Sequence, residues 1–243
     1  MKNLLKFSAI ALALVASATF ASADTLTLGS FGSTSGFNPG AITVNNTAMN
    51  FAGFNASSMT PSTGSGTSFD LNPTTVWEPA QSNSSWVGST VTSGPVGTVN
   101  PAFGFYTFTT EFTAGSPGSL YSGSLTVEAD DTTEVLLNGV VIVPIGALGG
   151  DGHCADGVPN CSKTDTVMLN GISLLSGSDA NVLTFVVQQM GTGPTGGTND
   201  PSGVDFAASL TSATPTPEPS SLILLGTGLI GSAGVLLRRR RRA

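Results

Sequence analysis

The chain has 243 residues, eight Lys and Arg against fifteen Asp and Glu, a formal net charge of −7 and a single histidine. Seven of the cations sit near the ends (Lys2, Lys6 and Arg238 to Arg242), so residues 24–214 hold only Lys163 against fourteen carboxylates, a formal charge of −13 with no arginine. That balance excludes nucleic-acid binding, which needs cationic side chains against phosphate, and bidentate arginine capture of anions; neutral ligands, divalent cations or a simply solubilising acidic surface stay open.

In chain order, Lys2 and Lys6 flank a basic start, Phe7 to Phe20 is almost wholly apolar, and Ala21-Ser22-Ala23 supplies small residues at a cleavage site. This three-part pattern predicts a secretory signal peptide over residues 1–23, cut by signal peptidase before Asp24. A permanent N-terminal membrane span fits less well, because the apolar run is short.

The body is punctuated by Gly, Ser, Thr, Asn and Pro, with short β-branched and aromatic runs and no amphipathic helical period. It reads as all-β, a single sandwich over residues 24–212. Strands are expected over Thr25–Leu28, Ala41–Val44, Gly104–Thr113, Ser122–Ala129, Glu134–Leu137, Val140–Val143, Val167–Leu169, Val182–Gln188 and Val204–Leu210. Residues 55–102 read as looser chain, including "SSMTPSTGSGTS". Asn138-Gly139 between two apolar runs predicts a hairpin with a type I′ turn.

Cys154 and Cys161, in "GGDGHCADGVPNCSKTD", are expected to form a disulfide in an exported protein. A zinc site lacks a fourth ligand even if His153 is counted. No cofactor is required by the sequence, although Asp151, Asp156 and Asp165 offer hard oxygen donors compatible with calcium. The twelve-residue calcium-loop spacing is absent, and a solvated polar turn explains the same residues. Glu128, Asp130, Asp131 and Glu134 form the densest carboxylate group. Glycosidase carboxylates face a cleft from separate elements, whereas these share one strand and turn, so Asp130 and Asp131 read as turn caps and no catalytic residue is assigned. A serine triad has only His153 to draw on, and no G-x-S-x-G occurs. "GTGLIG", Gly226 to Gly231, matches G-x-G-x-x-G but lacks the strand and βαβ context that would make it a dinucleotide loop. Trp77 and Trp86, the only tryptophans, suit either a sugar ring or the core.

The ordered segments "VWEP", "FYTFTTEF", "GSLTVEADDTTEVLLNGVVI", "NVLTFVVQQ" and "PSGVDFAASL" resemble bacterial surface proteins whose body is similar to the galactose-binding-like or carbohydrate-binding β-jelly roll. The resemblance covers about residues 70–210 and implies the fold more than any ligand.

The tail begins with a Pro-rich linker, residues 213–220, holding Pro217, Glu218 and Pro219. Ser221 to Leu237 are seventeen uncharged residues, about 26 Å as a helix and at the short limit for a membrane span. Arg238, Arg239, Arg240, Arg241 and Arg242 follow and would hold that end in the cytoplasm. Pro-Glu-Pro, a short span and an arginine cluster together resemble the PEP-CTERM sorting signal of Gram-negative bacteria that make exopolysaccharide. That resemblance implies processing by an exosortase near Pro-Glu-Pro, a period of inner-membrane anchoring, and delivery to the cell surface or extracellular matrix. The expected role is non-enzymatic and structural or adhesive in a biofilm, with a carbohydrate-binding module attached to exopolysaccharide as the alternative and a glycan hydrolase behind both.

Overall fold

The computed structural model describes residues 23–97, 101–115, 118–147, 154, 157–191, 200–213, 226–231 and 238. Residues 1–22, within the expected signal peptide, and most of the tail, including Pro217, Glu218, Pro219 and Arg239 to Arg242, lie outside the described residues, as do Asp151, His153 and Asp156. Two units are distinguished, Asp24–Ala213 and a second one drawn from both chain ends. In the second unit, Gly226 to Gly231 is helical, so "GTGLIG" forms no loop around a phosphate. Among the described residues no helix is long and apolar enough to cross a membrane.

The described residues between 24 and 213 form twelve strands: β1 Thr25–Gly29, β2 Asn50–Asn55, β3 Gly66–Thr67, β4 Phe69–Leu71, β5 Trp86–Gly88, β6 Gly104–Phe112, β7 Leu120–Asp130, β8 Thr132–Leu137, β9 Val140–Val143, β10 Asp165–Ser173, β11 Asn181–Gln189 and β12 Gly203–Ser212. One sheet runs β10-β7-β12-β5-β4, with β1 also paired to β12; the other runs β3-β2-β6-β11-β8-β9. All ladders between named strands are antiparallel.

The alternation of the long strands explains the core. On β6, Tyr106, Phe108 and Phe112 are buried while Glu111 is exposed. On β12, Val204, Phe206, Ala208 and Leu210 enter the same core as Leu125 and Val127 of β7 and Phe185 and Val187 of β11. Phe185 and Phe206 stack with centroids 4.6 Å apart, joining the two sheets. The β8–β9 turn has Asn138 and Gly139 at φ 50° and 79°, as a type I′ turn demands.

Two expectations change. Ala41–Val44 is not a strand: Thr43 N–H donates to Asn83 Oδ1 and Asn45 N–H to the Thr27 carbonyl, so its backbone is tied to side chains and single bonds rather than a ladder. The stretch expected to be loose instead carries β3, β4 and β5, and β2 precedes it. Strands of two or three residues are too short to show a period of two, and β2 is interrupted by a bulge at Gly53, whose φ is 143°.

Candidate functional site

Strand alternation puts the site on the outer face of the first sheet. Since Val127 and Ala129 of β7 and Val204 and Phe206 of β12 face the core, Glu128, Asp130 and Asp205 face the other way. Register sets Asp205 opposite Glu128 and Gly203 opposite Asp130. Like charges directly opposite are destabilising, and all three carboxyls are wholly buried.

The segment between β4 and β5 supplies the cover. Trp77 and Trp86 stack at 4.3 Å and form a second small core with Leu71 and Cys161, packed by Ala80 and Cys154. Both tryptophans are buried, at 3% and 0% exposure, so neither presents a ring face to a sugar. Trp77 lies over Gly203, where a Cβ would come within 2.9 Å of its ring. Glu78 N–H donates to the Cys161 carbonyl at 2.9 Å, and Trp86 Nε1–H to the Glu78 carbonyl at 2.9 Å. Cys154 and Cys161 form a disulfide with Cα atoms 5.5 Å apart. Their sulfurs lie near the Asp130 carboxyl, but as a disulfide they offer no thiolate to a metal.

Two clusters of carboxyls lie beside this cover. In the first, Asp205 Oδ1 accepts from Ser30 Oγ at 2.5 Å and Oδ2 from Gln81 N–H at 2.5 Å, while Gln81 Nε2 donates to Glu128 Oε1 at 3.0 Å. Glu128 Oε2 receives no N–H or hydroxyl donor. Burial pushes the Glu128 carboxyl up to about 8; Gln81 opposes this, and Asp205 and then Glu78 add to it. Burial raises Asp205 as well, against the pull of Ser30, Ser84, Gln81 and Glu128. Both carboxyls are thus raised, and a proton on Glu128 directed at Asp205 would relieve the repulsion between them.

In the second, Asp130 Oδ2 accepts from Trp77 Nε1–H at 2.6 Å, and Ser202 Oγ donates to the Asp130 carbonyl at 3.1 Å. Asp131 Oδ2 accepts from Met190 N–H at 2.5 Å, which ties the start of β8 to the end of β11. Gln189 Nε2 donates to the Asp200 carbonyl at 3.4 Å, and the Asp200 carboxyl sits against Gly191, where a Cβ would fall 1.8 Å from Oδ2. Asp130 Oδ1 and Gln189 Oε1 are buried acceptors with no donor among the described residues. Burial first, then the neighbouring Asp131 and Asp200, raise the Asp130 carboxyl well above its ordinary value, against the Trp77 bond.

Asp130 and Asp131 are thus the acceptors of an indole and a backbone N–H brought from distant segments, more than caps of their own turn. Asp200, Asp205, Gln81 and Gln189 join them, and none of these stood out in the sequence. Asp205 carried the one available signal, a carboxylate flanked by Val204 and Phe206 in an otherwise apolar strand. Asp165 opens β10 opposite Val127, half-buried and in the ladder. Among the described carboxyls of the Glu128 and Asp130 groups, none is exposed to a cleft. The arrangement can hold protons or a cation, and it presents no acid–base pair to a glycosidic bond.

No curated protein matches the chain in sequence. Among solved structures it is similar to a β-glucosidase from Kluyveromyces marxianus in complex with glucose (17% identity, TM-score 0.26), the match covering 54% of this chain and 13% of that one. It is similar to a family 35 carbohydrate binding module from Clostridium thermocellum (11%, TM-score 0.28, 54% and 81%). A GH26-CBM35 β-(1,4)-mannanase from Podospora anserina also matches (13%, TM-score 0.28, 79% and 29%). The chain thus spans a small part of the β-glucosidase. Its tail, residues 215–242, carries the PEP-CTERM protein-sorting motif.

Proposed function

We propose that this is an exported, non-enzymatic surface or extracellular-matrix protein. The observation that carries the reading is the sorting motif at residues 215–242. Residues 1–23 serve as the signal peptide, 24–212 as one jelly-roll-like sandwich, 213–220 as the linker, 221–237 as a membrane span and 238–243 as the cytoplasmic stop. Signal peptidase and an exosortase process the two ends, and the inner membrane holds the domain outward until the second cut. A structural or adhesive role is supported by the burial of the candidate acid–base carboxyls, Glu128 at 0% exposure among them. Mass spectrometry of the surface form from its host is expected to find a new C-terminus near Pro217. An intact Arg242 on that form refutes processing.

The buried acidic end takes a divalent cation in this reading. Asp130 Oδ1 and Gln189 Oε1 are oxygen acceptors without a donor among the described residues, and Asp131 and Asp200 raise the Asp130 carboxyl by their charge; hard oxygen donors of this kind suit calcium. Binding to the folded state alone raises stability by about 2.7 kcal/mol at a hundred times the dissociation constant. A melting midpoint that calcium leaves unchanged, with Asp130→Asn behaving as the parent does, assigns a proton to the site instead.

A further inference from the structure

Between β1 and β2 the chain leaves the first sheet and returns. Its outward limb is fixed to β4: Gly32 N–H donates to Asp70 Oδ1 at 2.7 Å and Thr34 N–H to the Ser68 carbonyl at 3.0 Å. Its return limb is fixed to the segment before β5, where Asn83 accepts from Thr43 N–H at 2.8 Å and donates to the Thr43 carbonyl at 2.6 Å. With both limbs pinned, residues 35–42 form an arch over the β4–β5 edge. Gly36 sits at its closest approach, where a Cβ would lie 2.7 Å from the Asp70 carbonyl oxygen.

Two clefts open beside this arch, about 340 Å³ and about 610 Å³, and both are lined by Phe37, Pro39 and Ile42. Their size is that of small-molecule sites, roughly 300–1,000 Å³. The smaller continues along Asn72, Pro73 and Gln81, and the larger along Phe31, Asn38 and Asp70. Two amides are set in advance. Asn72 Oδ1 accepts from Thr74 N–H at 3.0 Å and Asn38 Oδ1 from Gly40 N–H at 3.1 Å. Each bond fixes which way its amide faces and leaves the NH₂ group with no acceptor among the described residues. A half-buried Phe37, two prolines and two outward NH₂ donors form a surface that is apolar in face and hydrogen-bonding at its edges.

The lining contains no cation and one carboxyl, Asp70. The domain around it carries one lysine against fourteen carboxylates, so an anionic ligand meets repulsion with nothing to offset it. A neutral polyhydroxylated chain meets neither difficulty: its hydroxyls accept from the amides and the flat face of a ring covers Phe37. We infer that the two clefts form one site for a segment of neutral polysaccharide, passing either side of the Phe37–Ile42 arch. The inference deepens the surface-protein reading and rests on it only for where such a polymer is met.

The test is affinity electrophoresis of the purified full-length protein in detergent, through gels containing dextran, glucomannan or alginate. Retardation by dextran or glucomannan and none by alginate is expected. Phe37→Ala and Asn72→Ala are each expected to bind about tenfold more weakly, the worth of one lost contact of order 1 kcal/mol, with unchanged melting midpoints. Met168→Ala on β10, at a site 64% exposed, is expected to bind as the parent does. Hydrogen-exchange footprinting of the unmutated chain with the retained polymer needs no variant, and protection is expected over residues 31–45 and 70–85. Absence of retardation by either neutral polymer, equal retardation by alginate, or a footprint elsewhere overturns the inference. None of these outcomes touches the C-terminus found on the surface form, so sorting and binding fail separately.

Discussion

Glu128→Gln is the sharpest test of the buried dyad. Glu128 Oε1 accepts from Gln81, Oε2 has no donor among the described residues, and the carboxyl is raised beside Asp205, so a proton on Glu128 between the two carboxyls is expected. The folded carboxyl is pushed from 4.5 up to about 8. A raised acid binds its proton more tightly when folded, so its contribution is complete below pH 4.5 and is lost as pH climbs to about 8. At about 1.4 kcal/mol per pH unit, that loss is on the order of 5 kcal/mol at most across the window. Glutamine keeps the carbonyl for Gln81 and presents an NH₂ to Asp205 at every pH. The variant is therefore expected to show a shallower fall in stability between pH 5 and 9, with Asp130 keeping its own share, and to exceed the parent above pH 8. Denaturation in EDTA at a series of pH values, followed by the fluorescence of buried Trp77 and Trp86, gives both curves. A parent whose stability is flat over this range, or a variant that keeps the parent's slope, refutes the shared proton.

Gly203→Val forces a side chain into the Trp77 ring, 2.9 Å from where its Cβ would be; a loss of about 2–4 kcal/mol and a red-shifted tryptophan spectrum are expected, and a spectrum like the parent's would show that Trp77 does not cover this strand. Cys161→Ser opens a loop of seven-residue separation and is expected to cost about 2–3 kcal/mol in denaturant titrations; because Cys161 also packs on the tryptophan pair, the emission should shift with it, and a loss of stability without that shift counts against the second core. Calcium is expected to raise the melting midpoint of the parent but not of Asp130→Asn, read by calorimetry; an equal rise in both places the cation elsewhere.

The fold was legible where the strands are long. From Gly104 onward, β-branched and aromatic alternation and the Asn138-Gly139 pair mark β6 to β9, β11 and β12 to within a few residues. Before that point β3, β4 and β5 exist because their partners exist: Val87 pairs with both Val204 and Asp70, and no local pattern announces it. The site was half legible for the same reason. Asp130 and Asp131 stood out as neighbours, but Trp77 reaches Asp130 across 53 positions and Gln81 reaches Asp205 across 124. Those pairings are set by antiparallel register and by which segment covers the outer face. Neither is a property of any short stretch of chain.

The burial also changes what the acidity means. Fourteen carboxylates against one lysine suggest a surface kept soluble by repulsion, yet Asp70, Glu128, Asp130, Asp131, Asp200 and Asp205 are all buried. Burial raises Asp70, Glu128, Asp130 and Asp205, so near neutral pH part of the formal charge is neutralised by protons and never reaches the solvent. No arginine or second lysine is present in the domain to do that work. With the cation site proposed above, protons and an added cation would offset the same negative charge, and their effects should substitute for one another. Chelation at pH 5 is expected to lower the melting midpoint less than the same chelation at pH 9, because the raised carboxyls of Glu128 and Asp130 hold protons more readily at the lower pH. Equal effects of EDTA at the two pH values would show that the proton and the cation act at unconnected places.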